Sequence, residues 1–416
     1  MTTETYKTRS KKTTLSVTNN TISAIKKSDT VKTGVRIYEN GCIGVAGAIG
    51  AYDEKQLSGR AKHMLSFKIP YDCESAGEIS RTMDLTDSFS LSDEEFVRSS
   101  EEVLSMLTRN HPQFSFSHKI FYEETETQLH NSNGADLAYR DKIVQFELVI
   151  KHKGSKNLMD GIGATYMRGI DVQAVYNAIS ETCGSFEEKV TLPEEKMPVV
   201  QLINKEFILQ KFLTDLHGRA MGANASLFSG KIGEKLFADH FSLCVQRDPL
   251  KSEGSPSFFD AEGTVLPDNR FMLIENGVIK APYSSKKIAK QYGYPVTGSA
   301  GGEYDSVPVT AYETISVQPG EKTIKELLGG RKAVYIVIAS GGDFTSQGEY
   351  ASPVQAAYLF DGENLLGRLP QLSIRSNVYD MFGKDFIGMS TDGNNPHCPF
   401  KFLATDMYVE QIGDWL

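Results

Sequence analysis

Apolar and polar positions change their rhythm about halfway along this chain, and the change divides it into two predicted parts. Over residues 13–50 the pattern is that of strands. Thr14–Thr18 and Thr21–Ile25 are β-branched and flank Asn19-Asn20, a pair that tolerates left-handed backbone. Val35–Glu39 then meets Cys42–Ala46 across Asn40-Gly41, a hairpin signal. Further on, Ser92 and Glu95 form a capping box ahead of Phe96, Val97, Val103, Leu104 and Leu107, which recur at helical spacing up to Pro112. Ile143–Ile150 reads as a buried strand. Asp171 caps a second helix through Val172, Val175, Tyr176 and Ile179, ended by Gly184. Strands alternating with helices predict an α+β layer for this half.

Ser185–Pro198 is charged, contains Pro193 and Pro198, and reads as a boundary. Val199, Val200, Ile203, Phe207, Phe212 and Leu216 then keep to one broad face, which predicts an inter-domain helix over 199–217 ended at Gly218. From about residue 226 the texture becomes short strands and glycine turns. Asn276-Gly277 and Asp361-Gly362 each separate apolar runs and predict tight hairpins. Val334–Ala339 is continuously apolar and reads as a strand buried on both faces. The predicted class is α+β: an α+β domain over 1–192, and a mostly antiparallel, barrel-like β domain over 193–416 led by the helix.

The 416 residues suit two or three domains, and 40% hydrophobic against 23% charged residues is ordinary for a globular chain. The net charge of −9 argues against nucleic acid as a partner. The densest basic stretch, Lys7–Lys12, reads as a solvated tail. No apolar run reaches the ~18–20 residues of a membrane span, and the first residues, MTTETYKTRSKKTT, lack the apolar core of a secretory signal. Cys42, Cys73, Cys183, Cys244 and Cys398 are odd in number and form no CxxC pair, so reduced thiols and a cytoplasmic location are expected.

Several stretches in sequence order carry a resemblance. SLFSGKIGEKLF, SPSFFDAEGTVLPDNRFMLIENGVIKAPY, VTGSAGGEYDSVPVTAYETISVQPGEKTIKELL and SGGDFTSQGEYASPVQAAYLFDGENL resemble the TldD/PmbA family. In the third of these, Glu313 stands where that family usually has Asn. VTNNTISAIKKSDTVKTGVRIYENGCIGVAGA resembles the family's opening hairpins and NSNGADLAYRDKIVQFELVI its central strand pair, so the likeness spans nearly the whole chain. The family contains metallopeptidases of the TldD kind, with H-E-x-x-x-H on the inter-domain helix and a later Cys holding zinc. It also contains TldE/PmbA members that lack those ligands and serve as the partner subunit. Members have been labelled modulators of DNA gyrase.

On that pattern this chain resembles the TldE kind. Its inter-domain stretch has one histidine, His217, followed by Gly218 where the general-base Glu would stand and by Gly222 where the second His would stand. Ser390, in Ile387-Gly388-Met389-Ser390, falls near the place of the late Cys. A zinc site needs at least three protein ligands. As substitute ligands, His240 with Cys244 reads as a strand with one His and one buried Cys, His397-Cys398 as a rigid surface turn, and His111 and His118 have no carboxylate at a metal spacing. No G-x-S-x-G elbow, Walker A loop or G-x-G-x-x-G after a strand is present. Gly329-Gly330 reads as a helix-ending turn. The resemblance implies no catalytic residue and no metal in this chain, with zinc expected in a TldD-like partner. It implies a non-catalytic subunit of a metallopeptidase complex, or of a dimer, that degrades or matures unfolded peptides. Two alternatives are a self-sufficient metallopeptidase with atypical ligands and a peptide-binding homodimer. The residues expected near peptide or partner are Gly341, Gly342, Phe344, Gly348 and Tyr350, whose glycines allow close backbone approach.

Overall fold

A computed structural model describes residues 1–416 apart from 203–207, 253, 255, 340, 397, 398 and 416. The first sheet is built from β1 (Thr2–Thr18), β2 (Thr21–Glu39), β3 (Cys42–Ile49), β4 (Ile79–Asp84), β5 (Phe114–Asn131), β6 (Ala135–His152) and β7 (Gly161–Met167). Its order is β3-β2-β1-β5-β6-β4, with β7 also on β6, and only β4–β6 is parallel. Asn19 and Asn20 turn β1 into β2 with positive φ, as does the Asn40-Gly41 pair between β2 and β3.

The basic stretch Lys7–Lys12 is not a tail. It lies inside β1, paired with β2 on one side and β5 on the other. The long strands hide it from a periodicity reading, because residues 5–12 have no fully buried apolar face; Arg9 and Lys11 are exposed and the others half-buried. Lys12 is held by Glu123 at 3.2 Å and lies over the Phe121 ring.

Three helices line this sheet. α1 (Glu54–Met64), capped by Asp53 on the Gln56 N–H, packs beside the edge strand β3 and buries Leu57 and Ala61. α2 (Asp93–Asn110) begins with the reciprocal Ser92/Glu95 capping box, and α3 (Val172–Gly184) begins at Asp171, as the sequence predicts. Phe96, Val103, Leu104 and Leu107 of α2 and Val175 and Ile179 of α3 close a core over Leu15, Phe116, Ile120, Phe146 and Leu148.

The predicted helix over 199–217 is not one helix. Its first part is β8 (Lys196–Leu202), followed after the undescribed residues 203–207 by α4 (Gln210–Asp215) and α5 (Gly218–Gly222). Met197, Val199 and Val200 are buried, and the β-branched pair Val199-Val200 sits between two strands. An apolar run buried on both faces carries no period, so the helical spacing spans a strand and a separate helix; Ile203 and Phe207 lie outside the described residues.

Next come β9 (Leu243–Gln246), β10 (Arg270–Glu275), β11 (Val278–Ile279), β12 (Ala300–Gly301), β13 (Val309–Thr310) and β14 (Ile315–Val317). β11-β10-β9-β14 form a four-stranded sheet, with Asn276-Gly277 turning β10 into β11. α6 (Lys286–Tyr292) lies between β11 and β12.

After α7 (Ile324–Leu328), closed by left-handed Gly329, come β15 (Ala333–Ala339), β16 (Asp343–Phe344), β17 (Glu349–Phe360), β18 (Leu365–Arg368) and β19 (Leu372–Asn377). α8 (Val378–Met381), β20 (Phe386–Met389) and β21 (Phe402–Gln411) follow. β15, β8, β21, β19 and β17 pair in turn, and β17 pairs back on β15, so five strands close into a barrel. Only the β15–β8 contact is parallel. β15 is buried on both faces only at Ala333 and Val334 and half-buried from Tyr335 onward, less than its apolar sequence predicts. Bulges at Ile336–Ala339 bend it, and its pairing with β8 stops at Tyr335. A single core fills the barrel and runs through α4 to the β9–β10 sheet.

Packing crosses the predicted boundary at 192/193. Phe258 and Phe259, from the second part, complete the small core formed by Leu129, Leu137 and Tyr139 of the first sheet. Gly34 in β2 lies so close to the Tyr304 carbonyl that a Cβ there would overlap it.

Candidate functional site

His217, Gly218 and Gly222, the positions the resemblance marks for the zinc motif, are the cap, first and last residues of α5, and α4 packs just before it. Phe212 in α4 is fully buried, its ring 4.8–5.8 Å from those of Phe228, Phe237, Phe241 and Phe382. Leu209, Leu213 and Leu216 are buried beside it. His217 spends Nδ1 accepting the Arg219 N–H at 3.0 Å as the cap of α5, and its ring meets Tyr283 edge-on. Burial, with Arg219 nearby, lowers its pKa.

The other weighed ligands are dispersed. His240 precedes β9 rather than lying on it with Cys244; its Nε2 reaches the Phe386 carbonyl at 3.1 Å. Cys244 is buried, its thiol pushed up to about 12 by desolvation. The Ser390 hydroxyl donates to the Asp392 carbonyl and accepts from the Phe402 N–H. His111 meets Ser180, and His118 stands 3.7 Å from Glu147. His397 and Cys398 lie outside the described residues. Among the described residues no three His, Cys, Asp or Glu side chains converge as a metal site. A phenylalanine core at α4 offers no donor for zinc, so the described residues do not fit that ion.

α4 has a different polar feature. Lys211 and Asp215 form a buried pair at 3.0 Å, one turn apart. Lys211 Nζ also reaches the Ser346 carbonyl at 3.4 Å, while Asp215 accepts the Leu227 N–H. This ties the helix to the tip of the hairpin made by β16 and β17.

That hairpin contains all five residues singled out in the sequence. Gly341 and Gly348 have positive φ. A Cβ on Gly342 would lie 2.5 Å from the Ser352 side chain, and one on Gly348 2.6 Å from Val378, so both glycines are required by packing. Phe344 and Tyr350 are cross-strand partners whose rings lie 4.6 Å apart, with Tyr350 buried. The structure therefore brings the five together in and just before the hairpin, with Gly348 and Tyr350 buried, Gly342 and Phe344 half-buried and Gly341 exposed.

The exposed face belongs to the alternate residues. Asp343 pairs with Ala351, Ala351 with Arg375, and Arg375 with Tyr408, one row across β16, β17, β19 and β21 on the barrel's outer side. Ala351 is the dip in that row. Around it lies a groove of about 520 Å³ lined by Asp343, Thr345, Glu349, Arg375, Ser376 and Tyr408. A second hollow, of about 430 Å³, lies beyond Arg375 and Tyr408 and is lined by Glu194, Glu195 and Glu410. The period-two pattern of Glu349, Ala351 and Pro353 against Tyr350, Ser352 and Val354 was visible in the sequence and identifies this face. The row across four strands was not visible, since register comes from pairing. β16 is an end strand: among the described residues no strand pairs with its other edge.

A third polar group is buried between the two parts. In the Phe259–Gly263 turn, Asp260 accepts the Glu262, Thr264 and Ala300 N–H groups. Glu262 accepts from the Tyr71 hydroxyl and the Lys286 N–H. Arg36, fully buried, donates to Glu4 at 3.2 Å and to the Ala261 carbonyl. Burial, then the Asp260 charge, raises the Glu262 carboxyl to about 7.

Residues 196–412 match the sequence family described as PmbA/TldA metallopeptidase C-terminal domain. A zinc metalloprotease TldD homologue of Saccharolobus solfataricus is 26% identical over 208 residues, covering 45% of this chain and 46% of that protein. A metalloprotease TldD homologue of Buchnera aphidicola is 28% identical over 148 residues, 35% of this chain and 30% of that one. The chain thus aligns with less than half the length of these two relatives. Among solved structures, TldE from Thermococcus kodakarensis superposes with a TM-score of 0.79 at 18% identity, covering 98% of this chain and 96% of that one. A protein from Thermotoga maritima, described as a candidate modulator of a DNA gyrase, gives 0.76 at 17%, covering 98% and 96%. With the family match covering more than half of its residues, this chain belongs to the PmbA/TldD family.

Proposed function

We propose that this chain is the non-catalytic, TldE-like subunit of a TldD/TldE-type metallopeptidase complex that degrades or matures unfolded peptides in the cytoplasm. The observation that carries the reading is the α4–α5 stretch. Where the resemblance marks the zinc motif, Gly218 and Gly222 stand in α5 without a donor, after the buried aromatic core around Phe212 in α4. The framework around it is kept: the Phe259–Gly263 turn, the Asn276-Gly277 hairpin and the β16–β17 hairpin with its open edge. A framework without ligands suits a subunit whose surface is the useful part. The likeness of the whole fold to a protein titled TldE agrees with this. The zinc, the general base and the cleavage step then belong to a TldD-like partner. This chain contributes wall and strand edge to the shared cleft, where main-chain hydrogen bonds hold a peptide with little sequence preference. The division at 192/193 goes with the proposal, the second part forming the cleft and the first part bracing it.

Reconstitution tests it. The purified chain should hold no stoichiometric zinc and cleave nothing alone. Mixed with the TldD-like protein of the same organism, it should co-elute at micromolar concentration and accelerate cleavage of an unfolded peptide. A partner that cleaves equally fast alone and does not co-elute rejects the proposal. One zinc per chain, lost on His217→Ala or His240→Ala, would favour a self-sufficient peptidase.

A further inference from the structure

The groove at Ala351 has a charge pattern that the proposed role leaves unused. Of its lining residues, Arg375 is the cation, and it is paired with Glu410 at 3.0 Å. Asp343 and Glu349 have no cationic partner among the described residues; Glu349 accepts only an amide N–H of Asn377, at 2.8 Å. Both project from the outer face, on either side of the dip left by Ala351. The neighbouring hollow adds Glu194 and Glu195, again without a cation paired to either among the described residues. Tyr408, 56% exposed, closes the far side of the groove beyond Arg375, with the Lys196 ammonium over its ring.

The strand edge lies beside these charges. The Thr345 N–H points to β17, bonding the Glu349 carbonyl, so in an alternating ladder the Phe344 N–H points outward. That outward donor is capped by the residue's own neighbour: Asp343 Oδ1 accepts it at 2.7 Å. A strand added along this edge must take over the Phe344 N–H, and the Asp343 carboxylate must swing away. The added residue that faces Asp343 on the outer side is its cross-strand neighbour, where opposite charges stabilise and like charges repel. A long cationic side chain placed there draws the carboxylate off the N–H and lays its methylene stem beside Asp343 toward the dip at Ala351.

We propose that the groove takes an extended peptide carrying lysine or arginine at the position facing Asp343. This rests on the reading of the chain as the peptide-engaging subunit and adds the substrate's charge class to it. A neutral peptide must displace Asp343 from the Phe344 N–H with no cation to receive the carboxylate. An acidic one meets Asp343 and Glu349 directly.

The test uses the full chain, alone and with its zinc-bearing partner. Three short Thr/Val peptides differ only in a central Lys, Gln or Glu, and binding is followed by fluorescence anisotropy at low and high salt. The Lys peptide should bind about three- to tenfold more tightly than the Gln peptide, as expected for one or two partly exposed charge pairs. The preference should shrink in high salt. It should vanish in Asp343→Asn/Glu349→Gln and persist in Glu101→Gln, on the distant helix α2. Peptides that bind equally whatever their charge overturn the charge class and leave the subunit reading standing. If none binds to the chain or the complex, the reading itself fails and the proposal with it. Self-association that protects the Phe344 amide from hydrogen exchange without peptide assigns the groove to a second copy, and also overturns it.

Discussion

Replacing Glu262 by glutamine should flatten the pH dependence of this protein's stability. Glu262 is almost fully buried in the turn that joins the two parts, with Tyr71, Lys286 and the carboxylate of Asp260 around it. Desolvation and then Asp260 lift its carboxyl from the ordinary 4.5 to about 7. The folded state therefore holds this proton more tightly than the unfolded chain does. The resulting stability is fully present below the unfolded pKa and is lost as pH rises through the folded one. At ~1.36 kcal/mol per pKa unit, the rise corresponds to about 3 kcal/mol, of which about 2–3 kcal/mol disappears between roughly pH 5 and pH 8. Glutamine keeps one oxygen to accept the Tyr71 hydroxyl but cannot ionise. It forfeits the bond from the Lys286 N–H, at a cost of about 1 kcal/mol that does not vary with pH. Urea unfolding of both proteins from pH 5 to pH 8 reads the difference. The wild type should lose stability relative to Glu262→Gln as pH rises, by about 2–3 kcal/mol over the range. Two curves that run parallel would refute the buried, protonated Glu262.

Two further substitutions probe the frame. Phe212→Ala removes the ring at the centre of the α4 core and should cost about 3–5 kcal/mol by urea unfolding; a loss under about 1 kcal/mol would mean that α4 is not packed as described. Ser92→Ala breaks a reciprocal capping box and should cost about 1 kcal/mol, with helix α2 fraying first in hydrogen exchange while the barrel amides stay protected.

The sequence carried local signals well and long-range ones poorly. Capping at Ser92 and Asp171, the turns at Asn19-Asn20, Asn40-Gly41 and Asn276-Gly277, and the change to a barrel-like second half all rest on neighbouring residues. The errors came where partners are distant. Lys7–Lys12 looks like a tail until β5, more than a hundred residues on, pairs with it. Val199–Leu202 looks helical because the strands on both sides of it, β15 and β21, lie far along the chain. The candidate site shows the same split. The glycines single out Gly341–Tyr350 in the sequence, but the groove floor Asp343–Ala351–Arg375–Tyr408 exists only once four strands are in register.

Closure of the barrel by β8 sets an order of events during synthesis. β8, near residue 200, has β21, near residue 405, on one side and β15 on the other. A chain emerging from the ribosome can complete the first sheet and its helices, since all their strands lie before residue 168. β8 must then wait about 135 residues for β15 and about two hundred for β21 before Val199 and Val200 are covered on both sides. Such long-range pairing is slow to form and leaves strand edges open to wrong partners in the interval. Stalled or truncated chains should therefore fail at this seam, with the first sheet folded and the second half prone to aggregate.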